Sequence, residues 1–262
     1  MSRRSMTRSA VGALYALGAL IASFPSIADP MAKGDCDRPA SKTDLRHCDL
    51  SGRKLAGADL RAVDLRGVNL SNADLSQADL RGADLRKADM RWVKLIEAQL
   101  GEADLSHADL FHVVADGANL DDARLFKTNL FGALMNGIHA HEAEFTQAYM
   151  KDIEMEEADL TGATLRRVNL MRMVAMGAVF RGADLSHSRL TGAAAADADF
   201  SDALMVRTQL NGADLQNARF SGADTKGADF SNARFDTPVD FGNLLVAPPP
   251  MPIPASQDNP DH

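Results

Sequence analysis

Ala73-Asp74-Leu75-Ser76-Gln77-Ala78-Asp79-Leu80-Arg81-Gly82-Ala83-Asp84-Leu85-Arg86-Lys87 is one five-residue phrase said three times. The phrase continues in both directions without slipping. Every residue whose number is a multiple of five, from Leu45 to Phe235, belongs to one slot of 39 positions. That central slot holds 23 Leu, 6 Phe, 5 Met, 4 Ala and Thr225. Two residues earlier, 25 of 39 are Ala, with Arg53 the clear exception. One residue earlier, 20 of 39 are Asp or Asn. Two residues after the centre stand 14 of the 19 glycines of the chain.

A period of five excludes both regular elements. On an α-helix each residue turns by about 100°, so successive leucines would spiral around every side and bury none. On a continuous strand side chains alternate, and because five is odd the leucines would face opposite sides. The arrangement that buries them is a three-residue extended stretch followed by a turn. The central residue and the one two before it then point inward, and the Gly, Asn and Asp of the last slot occupy the turn. Repeated, this coils the chain around a column of Leu and Ala.

The phrases Ala58-Asp59-Leu60, Ala73-Asp74-Leu75, Ala78-Asp79-Leu80, Ala83-Asp84-Leu85 and Ala213-Asp214-Leu215 resemble the pentapeptide-repeat family, whose pattern is Ala-Asp/Asn-Leu-x-x. The resemblance covers residues 43–237 and implies an all-β fold, a right-handed quadrilateral β-helix with four pentads per coil. Charge supports the count of four. The column His47, Gly67, Lys87, His107, Lys127, Gln147, Arg167, His187, Arg207, Gly227, taken at intervals of 20, holds no acid. The column Ala62, Gly82, Glu102, Asp122, Glu142, Gly162, Gly182, Asp202, Gly222 holds no base. About ten coils stacked at roughly 4.8 Å give a rod of roughly 47 Å.

The composition follows from the slots. Ala, Leu and Asp supply 43, 30 and 29 of 262 residues, while Val and Ile together supply 18. An apolar content of 45% argues against disorder, and the shortage of β-branched and aromatic residues argues against an ordinary sandwich or doubly wound sheet. Each buried Leu contributes roughly 1.5–3 kcal/mol, so stability accumulates coil by coil.

Outside the repeat, residues 1–28 read as a secretory signal. Arg3, Arg4 and Arg8 form its basic region, Val11 to Phe24 its apolar run, and Ser26-Ile27-Ala28 its cleavage site. An uncleaved anchor is the alternative, and the twin-arginine pattern at Ser2-Arg3-Arg4 is incomplete because Met6 and Thr7 replace the expected large apolar pair. Removal takes the formal charge from −8 to −11, which disfavours non-specific binding to nucleic acid. No membrane span is expected in the mature chain, and the predicted location is periplasmic or secreted. Residues 29–42 are expected to cover the first coil, 238–246 the last, and 247–262 to form a disordered proline-rich tail. Cys36 and Cys48 are expected to form a structural disulfide that pins the first cover down. A loop this short is worth about 3 kcal/mol on the chain-entropy model.

No nucleophile elbow, phosphate loop, paired-cysteine zinc motif or dinucleotide fingerprint is present, and neither catalysis nor a cofactor is predicted. Candidate sites are departures in outward slots. Phe111, Phe131 and Met171 share one column, and Val114, Leu134 and Val174 the next, with Lys151 and Glu154 interrupting both and Trp92 one coil below. A contiguous apolar patch of this kind marks a partner surface or a homodimer contact. The competing reading is local bulging near Ala115 and Ala175, where small centres let neighbouring side chains turn inward. His139 and His141, with Asp121, Asp122 and Glu142, form a second candidate, for a divalent metal. The basic column offers a weak anion-binding stripe, and the acids at Asp64, Asp84, Asp104 and Asp184 are expected to pair along that face. The leading functional expectation is a non-enzymatic scaffold that docks an envelope protein or a second copy of itself. The alternatives are a DNA-mimic inhibitor, which export argues against, and a surface metal binder.

Overall fold

A computed structural model of the chain describes residues 31–236 and the backbone of Val239–Asp240 and Leu245–Val246. The chain divides into two compact units, Met1–Pro30 and Met31–His262, and all described residues lie in the second. The signal at 1–28, the tail at 247–262 and the apolar residues Phe241 and Leu244 lie outside the described residues. Among the described residues no helix is long and apolar enough to cross a membrane.

Each pentad makes one isolated bridge and one turn, and the pattern runs through the repeat without a skipped or added residue. Every bridge is parallel and joins residues 20 apart, from Asp44↔Asp64 to Asp214↔Arg234. Twenty residues are four pentads, so the period seen in the charge columns is the pairing register. The bonding is regular. The central N–H donates to the next coil, as in Leu45 N to Asp64 O at 2.9 Å, and the preceding N–H donates to the coil below, as in Asp84 N to Val63 O at 2.9 Å.

The turn is closed by a bond such as Ala58 N to Leu55 O at 3.1 Å, with Gly57 at φ +69°. A positive φ at the third residue is what a type II turn requires. Glycine fills the slot at Gly52, Gly57, Gly67 and eleven other turns, but 24 non-glycine residues hold a positive φ as well, all at numbers ending in two or seven. The coil geometry therefore imposes this conformation on Ala62, Trp92 and Lys127 despite the Cβ penalty.

The interior is the predicted column. The central leucines are fully buried, and the alanines two residues before them lie beside them. Phe180, Phe200 and Phe220 occupy one inner column and stack at 5.0 and 5.2 Å between centroids. Buried hydroxyls in the alanine slot donate to carbonyls: Thr128 Oγ1 to Leu105 O at 3.0 Å, Thr208 Oγ1 to Leu185 O at 2.9 Å, and Ser188 Oγ to Leu165 O. No buried side-chain polar atom among the described residues lacks a partner.

At the start of the repeat, strand β1 (Ala32–Lys33) pairs in parallel with β2 (Thr43–Asp44), so residues before the repeat add hydrogen bonds to its first coil. Gly34 follows at a close approach, since a Cβ there would lie 2.5 Å from Leu45 Cδ2. Cys36 and Cys48 are joined by a disulfide with Cα atoms 5.4 Å apart. Arg53, the exception in the alanine slot, is half-buried; its Nη1 lies 3.3 Å from Asp37 Oδ1 and its Nη2 donates to Asp37 O at 3.2 Å. A charged residue is tolerated there because the segment before the repeat supplies its partner. Strands β3 (Val239–Asp240) and β4 (Leu245–Val246) form an antiparallel pair after the repeat.

Candidate functional site

The outward face is organised by the Asp/Asn slot. The carboxylate or amide oxygen accepts the N–H two residues later, as in Ser51 N to Asp49 Oδ1 at 3.0 Å and Phe111 N to Asp109 Oδ1 at 3.2 Å. This is an Asx turn, and it explains why the slot prefers short side chains with an acceptor. Each cap fixes the backbone of the outward residue that follows it.

At one turn column these outward residues are aromatic. Phe111 and Phe131, one coil apart, stack at 5.6 Å with planes 8° apart. Asn129 anchors the second ring, since Phe131 N donates to its Oδ1 at 3.3 Å and its own Nδ2 donates to Asp109 Oδ1 at 2.7 Å. Val114 and Leu134 are bridge partners in the neighbouring slot. Lys151 Nζ sits 6.0 Å from the Phe131 ring centre, and Glu154 stands between Leu134 and Val174 in the bridge order. Phe111, Val114, Phe131 and Leu134 are thus brought together, whereas Met171 and Val174 are separated from them by one charged coil. All six are half-buried. The bridge series through Val114, Leu134, Glu154 and Val174 is unbroken, so the chain does not bulge at Ala115 or Ala175.

The patch also contains Trp92, expected one coil below, and two residues that the column reading did not collect, His112 and Tyr149. Trp92 is 53% exposed and stacks on His112 at 4.5 Å with planes 4° apart, and its ring meets Phe111 edge-on at 5.6 Å. Tyr149, 41% exposed, stacks on Phe131 at 6.0 Å. Tyr149 lies 18 residues after Phe131, not 20, because a residue just after the centre meets the residue just before the centre in the coil above. That slanted spacing was the signal available in the sequence.

The same 18-residue step governs the charges. Arg46, Arg66 and Arg86 each clamp the aspartate two residues before them through Nε and Nη2, with Nη2 to Oδ2 at 2.6 Å. Each also reaches the aspartate of the next coil: Arg46 to Asp64 at 3.3 Å, Arg66 to Asp84 at 3.3 Å and Arg86 to Asp104 at 3.8 Å. The guanidinium of Arg66 holds the Asp64 carboxyl below the usual carboxylate range despite its partial burial. The acids expected to pair along this face do pair there, with arginines of the adjacent slot. Asp64, Asp84 and Asp104 are taken by arginines of the adjacent column, and Arg166 lies 3.6 Å from Asp184.

His141 is also held by acids. Its Nε2 lies 2.9 Å from Asp159 Oδ2 and its Nδ1 lies 3.4 Å from Asp121 Oδ1. The hydrogen bond to Asp159 raises its pKa above the ordinary histidine value. His139 is a ring neighbour at 6.2 Å, but His139, His141 and Asp121 do not converge at ligand distance. Among the described residues only Cys36, His47 and Cys48 gather three potential ligand atoms, and the two sulfurs there are bonded to each other.

The model of the Pentapeptide family, described as pentapeptide repeats, matches in eight copies between residues 43 and 232. No curated protein matches the chain significantly. Among solved structures, HetL, a pentapeptide repeat protein involved in heterocyst differentiation regulation from the cyanobacterium Nostoc sp. strain PCC 7120, is 30% identical with a TM-score of 0.52, covering 73% of this chain and 89% of that one. QnrB1, a plasmid-mediated fluoroquinolone resistance protein, is 19% identical with a TM-score of 0.28, covering 76% and 90%. A pentapeptide repeat protein of the Arabidopsis thaliana thylakoid lumen is 30% identical over 45% of this chain and 71% of its own, with a TM-score of 0.20.

Proposed function

The chain belongs to the pentapeptide-repeat family and has its right-handed β-helix, and from that premise we propose that it is a non-enzymatic scaffold, exported to the periplasm or secreted, that docks a protein partner. The helix is four-sided, with about ten coils over residues 43–237, covered at its start by residues 29–42 and at its end by 238–246. The uniform 20-residue register and the four turns within it support that form. The basic-apolar leader of residues 1–28 and the Cys36–Cys48 disulfide support an oxidising compartment.

The observation that carries the docking role is the ring cluster of Trp92, Phe111, His112, Phe131 and Tyr149. Its most exposed member, Trp92, is more than half exposed, and the cluster adjoins the half-buried Val114 and Leu134. Rings held against each other lose little freedom when covered, so burying them is favourable. The partner is a second copy of this chain or an envelope protein. Trp92 is the one tryptophan of the chain, so its emission reports directly on the patch. On docking, the emission shifts to shorter wavelength, and association is seen by sedimentation or by pull-down from the native envelope. Replacing Phe111, Phe131 and Leu134 by Ser is expected to remove both signals while the far-ultraviolet spectrum is kept. Association that persists in the triple variant refutes the assignment.

A further inference from the structure

A second surface lies on another turn column, next to the arginine–aspartate ladder. Arg46, Arg66, Gly67, Arg86 and Lys87 line a recess of about 380 Å³. Gly67 opens it, because a Cβ there would touch nothing within 4 Å. The neighbouring acids are committed to the three arginines through Nε and Nη2, and no hydrogen bond engages the arginine Nη1 atoms among the described residues. Lys87 is exposed and has no ion pair among the described residues. The same holds higher on the same column for Arg167 and Arg207. Lys127 is exposed too and lies over the Phe126 ring at 5.0 Å. The two outward slots of this turn column contain no acid from Arg46 to Gly227.

We infer that this turn column binds a linear acidic polysaccharide, with one anionic group seated in the recess at Gly67 and the chain running along Lys87, Lys127, Arg167 and Arg207. The cations lie along one straight line because each repeats the same slot two coils higher, about 9.6 Å apart, with His107, Gln147 and His187 in the coils between. An extended glycan with one carboxylate per sugar turns alternate carboxylates to one side, in a comparably straight series with one charge per pair of sugars. Duplex nucleic acid offers no such straight series, since its phosphates wind around an axis at about 3.4 Å per strand. The planar Nη1 edges of the arginines suit a carboxylate, and the lysines supply point charges beyond the recess. The net negative charge of the chain lies on other columns, so it weakens the attraction at long range without occupying this one.

The test is titration of the purified chain with polygalacturonate at low ionic strength, with galacturonate monomer, neutral dextran and a duplex oligonucleotide as separate arms. Polygalacturonate is expected to bind, to weaken steeply with salt, and to outcompete the monomer. Gly67→Glu fills the recess and adds an acid; other residues of this slot hold the same positive φ, so the turn accommodates it. Lys87→Glu reverses the exposed charge without touching the ladder. Each is expected to reduce affinity at least tenfold, whereas Lys94→Glu, on a different column, is expected to leave it unchanged. A melting curve confirms the fold of each variant. Absence of polygalacturonate binding, indifference to both substitutions, or tighter binding of the oligonucleotide overturns the inference.

Discussion

Ala62 and Gly82 occupy the same turn slot one coil apart, with φ of +51° and +64°. The backbone there is set by the coil and not by the residue, so the two positions measure the cost of a Cβ in a left-handed conformation. That cost is about 1–2 kcal/mol. Glycine in turn loses more freedom on folding, by about 0.5–1 kcal/mol. The first effect exceeds the second. Ala62→Gly is therefore expected to raise stability by about 0.5 kcal/mol. Gly82→Ala, where a Cβ meets no atom within 4 Å, is expected to lower it by a similar amount. Paired thermal melts check this, and a loss of stability in Ala62→Gly would show that the turn relaxes around alanine. The same balance explains why the glycine preference of this slot is strong in the sequence yet incomplete.

At the scale of one coil against the next, the contacts that decide the surface are slanted. Asp199 joins a slanted contact to a vertical one. It is nearly buried, its carboxylate accepts Ser201 N at 3.0 Å, and it faces Arg181 at 2.7 Å and Arg219 at 3.3 Å. Burial alone pushes its pKa up, but Ser201, Arg181 and Arg219 outweigh that and hold it at about 2. An aspartate depressed below its unfolded value of about 3.9 stabilises the fold fully above that pH and loses the contribution as pH falls toward 2. The contribution is roughly 2 kcal/mol. Asp199→Asn is expected to destabilise the protein at pH 7 and to flatten the stability profile between pH 4 and 2, as chemical unfolding at stepped pH would reveal. An unchanged acid limb would mean that Arg181 and Arg219 do not clamp this carboxylate. Such links also mark the boundary of what could be read in advance. Slot identity, register and the cysteine pair follow from residues 5, 20 and 12 apart, because those spacings repeat or stand alone in the chain. The clamps of Arg66 on Asp84 and Arg181 on Asp199, and the stacking of Tyr149 on Phe131, join different slots 18 apart, so comparing one slot with itself cannot find them. The partner of Arg53 lies outside the repeat altogether.

For the repeat body as a whole, register matters more than length. Stability in a stacked repeat is a sum of coils and of the interfaces between them. Removing residues 183–202 deletes one full 20-residue register step, so every bridge above it re-forms with an equivalent slot below. Phe220 then stacks on Phe180 as Phe200 did, and only the burial within one coil is lost. Removing residues 183–187 keeps the pentad pattern but rotates everything above by one turn. Phe200 leaves the column of Phe180, and Asp199 leaves Arg181. Alanine and phenylalanine centres then stand over unmatched neighbours, creating cavities and overpacking at once. The shorter deletion is therefore expected to lower the melting temperature more than the longer one, although it removes a quarter as many residues. Both variants are expected to keep a β-type far-ultraviolet spectrum. If the five-residue deletion melts at or above the 20-residue deletion, the pentads are interchangeable among faces, and the specificity of the stack lies in the single pentad and not in the four-pentad coil.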